Sequence, residues 1–113
     1  ARLALSVARC HVSDDCFRDL DPAAVNIPTV NFSDTAIGDA GAAFLLSCPR
    51  IEVLGLGGIP LGARSLEALR TNHNLERLDV SHCALDISKV IDAVLDHPRL
   101  RWLTLDDNML TVE

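Results

Sequence analysis

A curved α/β solenoid, with a parallel sheet on its concave face and short helices on its convex face, is the fold this sequence predicts. Three observations predict it. Apolar residues return in the same pattern every 24 or 25 positions. Within each return the spacing changes from the alternation of a strand to the i, i+3 spacing of a helix. Glycine and proline fall at the joints between the two.

Five copies align, "RLALSVARCHV" (2–12), "IPTVNFSDTAI" (27–37), "IEVLGLGGIPL" (51–61), "LERLDVSHCAL" (75–85) and "LRWLTLDDNML" (100–110). They share the pattern LxxLxLxxNxL, with Cys, Thr or Ile in place of Asn at the ninth position of four copies. A strand that begins at the fourth place and then turns explains it. Leu5/Val7, Val30/Phe32, Leu54/Leu56, Leu78/Val80 and Leu103/Leu105 then point inward from one parallel sheet. At the ninth place the chain bends and backbone groups lose their ladder partners, so a buried polar side chain is needed to hydrogen-bond them. Cys10, Thr35, Cys83 and Asn108 suit that role; Ile59 does not.

The stretches between copies read as short helices that return the chain to the next strand. Five and eight residues beyond each eleventh place stand Phe17/Leu20, Ala42/Leu45, Leu66/Leu69 and Val90/Ala93. Gly38, Gly41 and Gly62 mark helix starts, and Pro49 and Pro98 close two helices.

The 113 residues, 49% apolar and 23% charged, fit one globular domain of about five repeats. The chain does not begin with Met, and it is expected to be part of a larger protein. No apolar run approaches the ~18 residues of a membrane span, and "RLALSVARC" reads as a strand rather than a signal peptide. A net charge of −6 with no basic block argues against nucleic acid as a partner. An acidic face for a basic protein partner stays open.

On these five copies, and on "IGDAGAAFLLSCPRIEVLGL" (37–56) in particular, the chain resembles leucine-rich repeat proteins. It is most similar to the intracellular ribonuclease-inhibitor-like or cysteine-containing class, with shortened repeats. That resemblance implies a leucine-rich repeat solenoid acting as a scaffold, adaptor or regulator inside the cell, in the cytoplasm or nucleus. Adaptor subunits of ubiquitin ligases and cytoskeletal regulators are of this kind.

Other chemistry is weaker. Cys10 and Cys83 lie three repeats apart, roughly 14 Å at ~4.8 Å per strand, too far for a disulfide or a shared zinc with His11 and His82. Cys16 and Cys48 fall on neighbouring repeats, and a bond between them is the weaker alternative to free thiols. His82, beside Asp79 and Ser81, is the best-placed catalytic candidate among His11, His73, His82 and His97. It faces an open sheet rather than a pocket, so no enzyme activity is expected. Asp14-Asp15 suits a helix start, and Asp106-Asp107 supplies too few oxygens for a cation site. "GLGGIP" (55–60) lacks the lysine and helix of a phosphate loop. Its glycines, on outward places, mark either close approach of another chain or simple tolerance. No cofactor or metal is expected.

Outward residues at the third, fifth and seventh places define the expected partner-binding face. Asn31, Val53, Gly55, Arg77, Asp79, Trp102, Thr104 and Asp106 are the candidates, with Trp102 and Arg77 as anchors because Trp and Arg dominate interface energetics. The competing reading of Trp102 buries it under a C-terminal cap or further repeat. The expected function is non-catalytic protein binding. A structural self-assembly module and a GTPase regulator are the alternatives. Neither end shows a polar cap, so flanking sequence or a homodimer through the terminal strands is expected.

Overall fold

A computed structural model describes residues 3–95, 97–106 and 108. Arg2, Asp107 and Leu110, which the repeat pattern assigns to the outer copies, lie outside the described residues. Five strands of three residues form one parallel sheet in sequence order: β1 (Ala4–Ser6), β2 (Thr29–Asn31), β3 (Val53–Gly55), β4 (Arg77–Asp79) and β5 (Trp102–Thr104). Leu5, Val30, Leu54, Leu78 and Leu103 stand in one row across it. The strands begin at the third place, one residue earlier than the pattern predicts. The third-place amides of Val53, Arg77 and Trp102 already donate to Pro28, Glu52 and Glu76 carbonyls of the preceding copy.

Fourth- and sixth-place residues form the core in the middle three copies, where Val30, Phe32, Leu54, Leu56, Leu78 and Val80 are buried. At the outer copies the same places are only half covered or open: Leu103 and Leu105 are half-buried and Leu5 is 37% exposed. Three helices pack on this core, α1 (Asp39–Leu46), α2 (Ala63–Thr71) and α3 (Ile87–Val94). Their buried positions are largely those the i, i+3 spacing picks out: Ala42 and Leu45, Leu69 with Leu66 half-buried, Val90 and Ala93. An α/β repeat fold is therefore established.

The first return segment departs from the pattern. It makes two short 3-10 turns, Asp14–Phe17 and Pro22–Ala24, instead of a helix. Pro22 has no amide to donate and its ring cannot follow a helical turn, while Asp19 takes a left-handed φ of 67°. Phe17 still packs inward, with ring centroids 5.4 Å from Phe32 and 4.7 Å from Phe44. Leu20, its expected partner, is 53% exposed.

Side chains tie each repeat to the next. Gly38 and Gly62 begin α1 and α2 without side chains to cap them, leaving helix-start amides unsatisfied. A carboxylate from the preceding repeat fills the gap. Asp14 accepts from the amides of Gly38 (2.8 Å) and Gly41 (3.0 Å). Asp39 accepts from the amides of Gly62 (2.8 Å), Arg64 (3.1 Å) and Ser65 (3.0 Å) and from the Ser65 hydroxyl (2.6 Å). Asp14 and Asp39 occupy the same repeat position, which Ala63 holds in the third copy, and there α3 is capped by its own Asp86 through Ser88 N–H. The far ends are tied in the other direction: Asn72 Nδ2 donates to Leu46 O (2.6 Å), and His97 Nε2 bonds Leu69 O.

Desolvation pushes the Asp39 carboxyl up, but the Ser65 hydroxyl and the three backbone amides outweigh it and hold its pKa below the usual value. Its ionised form then stabilises the fold fully above about pH 4, and that contribution is lost as acid titrates the lower folded-state pKa. Asp39→Ala is expected to cost about 1–2 kcal/mol at neutral pH, the scale of a lost cap. The difference from wild type in chemical unfolding should shrink toward about pH 2. A pH-independent difference would remove the carboxylate from this role.

Two devices recur in the turns after the strands. The eighth place is left-handed at Arg9, Asp34, Gly58 and His82, with φ between 56° and 78°. At the ninth place the polar side chains donate to sixth-place carbonyls: Cys83 Sγ to Leu56 O (3.0 Å), Asn108 Nδ2 to Val80 O (2.7 Å), and Thr35 Oγ1 to Phe32 O (2.8 Å). Asn108 also accepts from the amides of Cys83 and Leu85. Cys10 differs from expectation. It is exposed, because no preceding repeat among the described residues offers it a carbonyl. Cys83→Ala should lower stability by about 1–3 kcal/mol by leaving Leu56 O with only the longer bond from Ile59 N–H (3.3 Å) and by opening a small cavity. An unchanged denaturant midpoint would show the thiol to be dispensable.

Candidate functional site: the open face of the sheet

Third- and fifth-place side chains project from the side of the sheet opposite the core, and their exposure follows: Arg77, Trp102 and Thr104 are exposed, while Thr29, Asn31, Val53, Gly55 and Asp79 are half-buried. All eight, with the backbone of Val30, Leu54 and Leu78 beneath them, line one shallow depression of about 370 Å³. Seven of the eight sequence candidates thus come together. Asp106 is exposed but does not line the depression. Thr29, a third-place residue, joins them.

Trp102 is 49% exposed among the described residues. The Arg77 guanidinium lies 4.0 Å from the centroid of its ring, near enough for cation–π attraction. The pair fixes a flat, amphipathic ledge at one end of the depression. Asx-type bonds brace the rest, with Asn31 Oδ1 accepting from Ser33 N–H and Asp79 Oδ1 from Ser81 N–H, both at 2.9 Å.

The central glycines have a cause inside the chain. A β carbon on Gly55 would stand 2.6 Å from Asn31 Oδ1, so glycine there makes room for the neighbouring strand's own side chain. Gly58 combines a φ of 78° with a side-chain position that Asp34 Oδ1 already fills. Gly55 and Gly58 are thus explained from within the chain, whereas a β carbon on Gly57 would meet only ordinary contacts at 3.5 Å.

Among the described residues the other reactive groups do not converge on the open face, though the His73 and His97 rings stand 5.9 Å apart elsewhere. Among the described residues no group of three His, Cys, Asp or Glu side chains is placed to hold a metal ion. The four cysteines are free. Burial pushes the Cys48 thiol up to about 11 and the Cys83 thiol upward, which keeps both as neutral donors to carbonyls. His82 is exposed on the left-handed turn, and His97 is committed to Leu69 O. Among the described residues no helix is long and apolar enough to cross a membrane.

Comparison with curated proteins finds no match. A family model described as "Leucine Rich repeat" matches residues 71–86, the stretch that carries β4, its turn and Cys83. Domains of this family generally mediate protein–protein interaction. With a five-stranded parallel sheet and three helices repeating in register, that match supports a leucine-rich repeat protein.

Proposed function

We propose that the chain is a non-catalytic protein-binding module, a curved solenoid of ribonuclease-inhibitor-like or cysteine-containing repeats whose concave side is the open face described above. It serves a larger cytoplasmic or nuclear protein in a scaffold, adaptor or regulatory role. The observation that carries this reading is the Arg77–Trp102 stack, an exposed aromatic with a cation over its ring at 4.0 Å beside a depression. An aromatic braced in this way loses little entropy on binding and offers a large contact area. Affinity capture from the native source with wild-type and Trp102→Ala protein tests it. A partner retained by wild type and lost by the variant supports the face; identical captures refute it.

Self-association is the second reading, supported by exposed Leu3 (62%), Leu5 (37%) and Leu20 (53%) in the first repeat. Such an apolar strand edge invites pairing. Light scattering is expected to detect dimers at micromolar concentration on this reading, and a strictly monomeric chain would remove it.

A further inference from the structure

A second cleft, of about 490 Å³, lies along the edge where the chain enters each strand. Asn26, Arg50, Asn74 and Arg99 line it, and each directly precedes a copy, those beginning at residues 27, 51, 75 and 100. The repeat therefore stacks them as a ladder of alternating amide and guanidinium groups. Arg50 and Arg99 stand two strands apart, about 10 Å at ~4.8 Å per strand, with Asn74 between them. Arg101 extends the positive edge past Arg99 in an adjoining hollow. Elsewhere Arg18 and Arg70 are paired with carboxylates and Arg77 lies over Trp102. Among the described residues the side chains of Asn26, Arg50, Asn74, Arg99 and Arg101 have no hydrogen-bond or ion-pair partner. Glu52 and Glu76 share this edge, so three guanidinium charges stand against two carboxylates, a local excess opposite in sign to the chain's net charge of −6.

We propose that this edge binds an extended acidic segment of a protein partner, with two carboxylates two residues apart reaching Arg50 and Arg99. The surface is distinct from the open face, and the proposal does not rest on the Arg77–Trp102 stack. An ionised carboxylate only accepts hydrogen bonds, and the guanidinium fork is the donor that meets both of its oxygens at once. Side chains at i and i+2 of an extended strand stand on one face ~7 Å apart. The length of two glutamate and two arginine side chains covers the rest of the distance between the rungs. Asn74 offers further amide donors at the midpoint. A long polyanion such as nucleic acid would run past this edge onto the acidic remainder of the chain, whereas a short acidic segment meets only the arginines. Each ion pair is exposed and therefore weak, so selectivity comes from the spacing of the two rather than from either alone.

The test titrates the full chain with three acetylated, amidated pentapeptides, Gly-Glu-Ser-Glu-Gly, Gly-Gln-Ser-Gln-Gly and Gly-Glu-Glu-Ser-Gly. Binding is read from the side-chain amide resonances of Asn26 and Asn74. The first peptide should bind about ten-fold more tightly than its glutamine counterpart, the scale of two exposed ion pairs, and the preference should fade with added salt. The third carries the same charge on opposite faces of the strand and should bind about three-fold less tightly than the first, the loss of one such pair. Arg50→Gln and Arg99→Gln, both at exposed positions where the fold is not at stake, should each remove most of the preference. Trp102→Ala should leave it intact. Equal binding of the first two peptides, or no response to either, overturns the proposal. Equal binding of the first and third overturns the paired spacing on which it depends. Loss of the preference in Trp102→Ala would move the acidic segment to the open face and overturn the edge assignment.

Discussion

Leu78→Ala is expected to lower stability by about 2–5 kcal/mol. Leu78 sits at the fourth place of the fourth copy, is 2% exposed, and packs in the cluster with Leu54 and Val80. Its row is continuous across the sheet, so the void left by truncation opens between two neighbouring copies that are each held by three-residue strands. Such short strands have little freedom to collapse onto the gap without losing register. Leu103→Ala, in the same row, should cost less because Leu103 is only half-buried. Urea unfolding of both variants checks this. Equal losses would mean that β5 is more deeply packed than its exposure indicates, and a loss at Leu78 below about 1 kcal/mol would contradict the core assignment.

Trp102→Ala and Arg77→Ala are expected to weaken partner binding by about 2–4 kcal/mol each, the range of an interface hot spot. The two losses should not add, since each variant dissolves the same stack. Stability should move little, because both residues are exposed. Losing the cation–π contact itself costs at most about 1 kcal/mol. A double-mutant cycle on the captured partner, read by calorimetry, measures the coupling. Additive losses would show that Arg77 and Trp102 meet the partner independently.

The repeat register was legible because each copy's core places are local and periodic: reading Leu54, Leu56 and Ile59 at their places required only the neighbouring copies. The same regularity located Val53, Arg77 and Trp102 on one face, since alternation along a strand separates them from the leucines. Four features were not legible. The strands were misplaced by one residue because the third-place amides find their carbonyls on the preceding copy, which apolar spacing does not report. Phe17 and Leu20 had the spacing of a helix face, but Pro22 further along broke the segment into two turns and left Leu20 outside. The glycines at 55 and 58 looked either like openings for another chain or like simple tolerance. Their cause, Asn31 and Asp34, lay 24 residues away on the preceding copy, where no local pattern connects them. Asp39 was passed over for the same reason: its four bonds reach residues 62 to 65.

Asp14, Asp39 and Ala63 share one repeat position, and the residue that begins the following helix is Gly38, Gly62 and Asp86 in turn. These two positions obey a rule of agreement across the junction: a carboxylate in one copy goes with a bare glycine in the next, and alanine goes with a helix that supplies its own aspartate. The interchangeable unit of this chain is thus the junction rather than the repeat. An array made by copying residues 51–74 end to end would break the rule at every joint. Each Gly62 would follow an Ala63, with no oxygen for its amide from either side. Ala63→Asp alone would set a second carboxylate against Asp86 at the start of α3, whereas Ala63→Asp together with Asp86→Gly restores the pairing found at the first two joints. Recombining repeats from this sequence therefore requires that breakpoints fall at the helix starts, between Gly38 and Asp39 or between Gly62 and Ala63, so that each carboxylate travels with the glycine it caps.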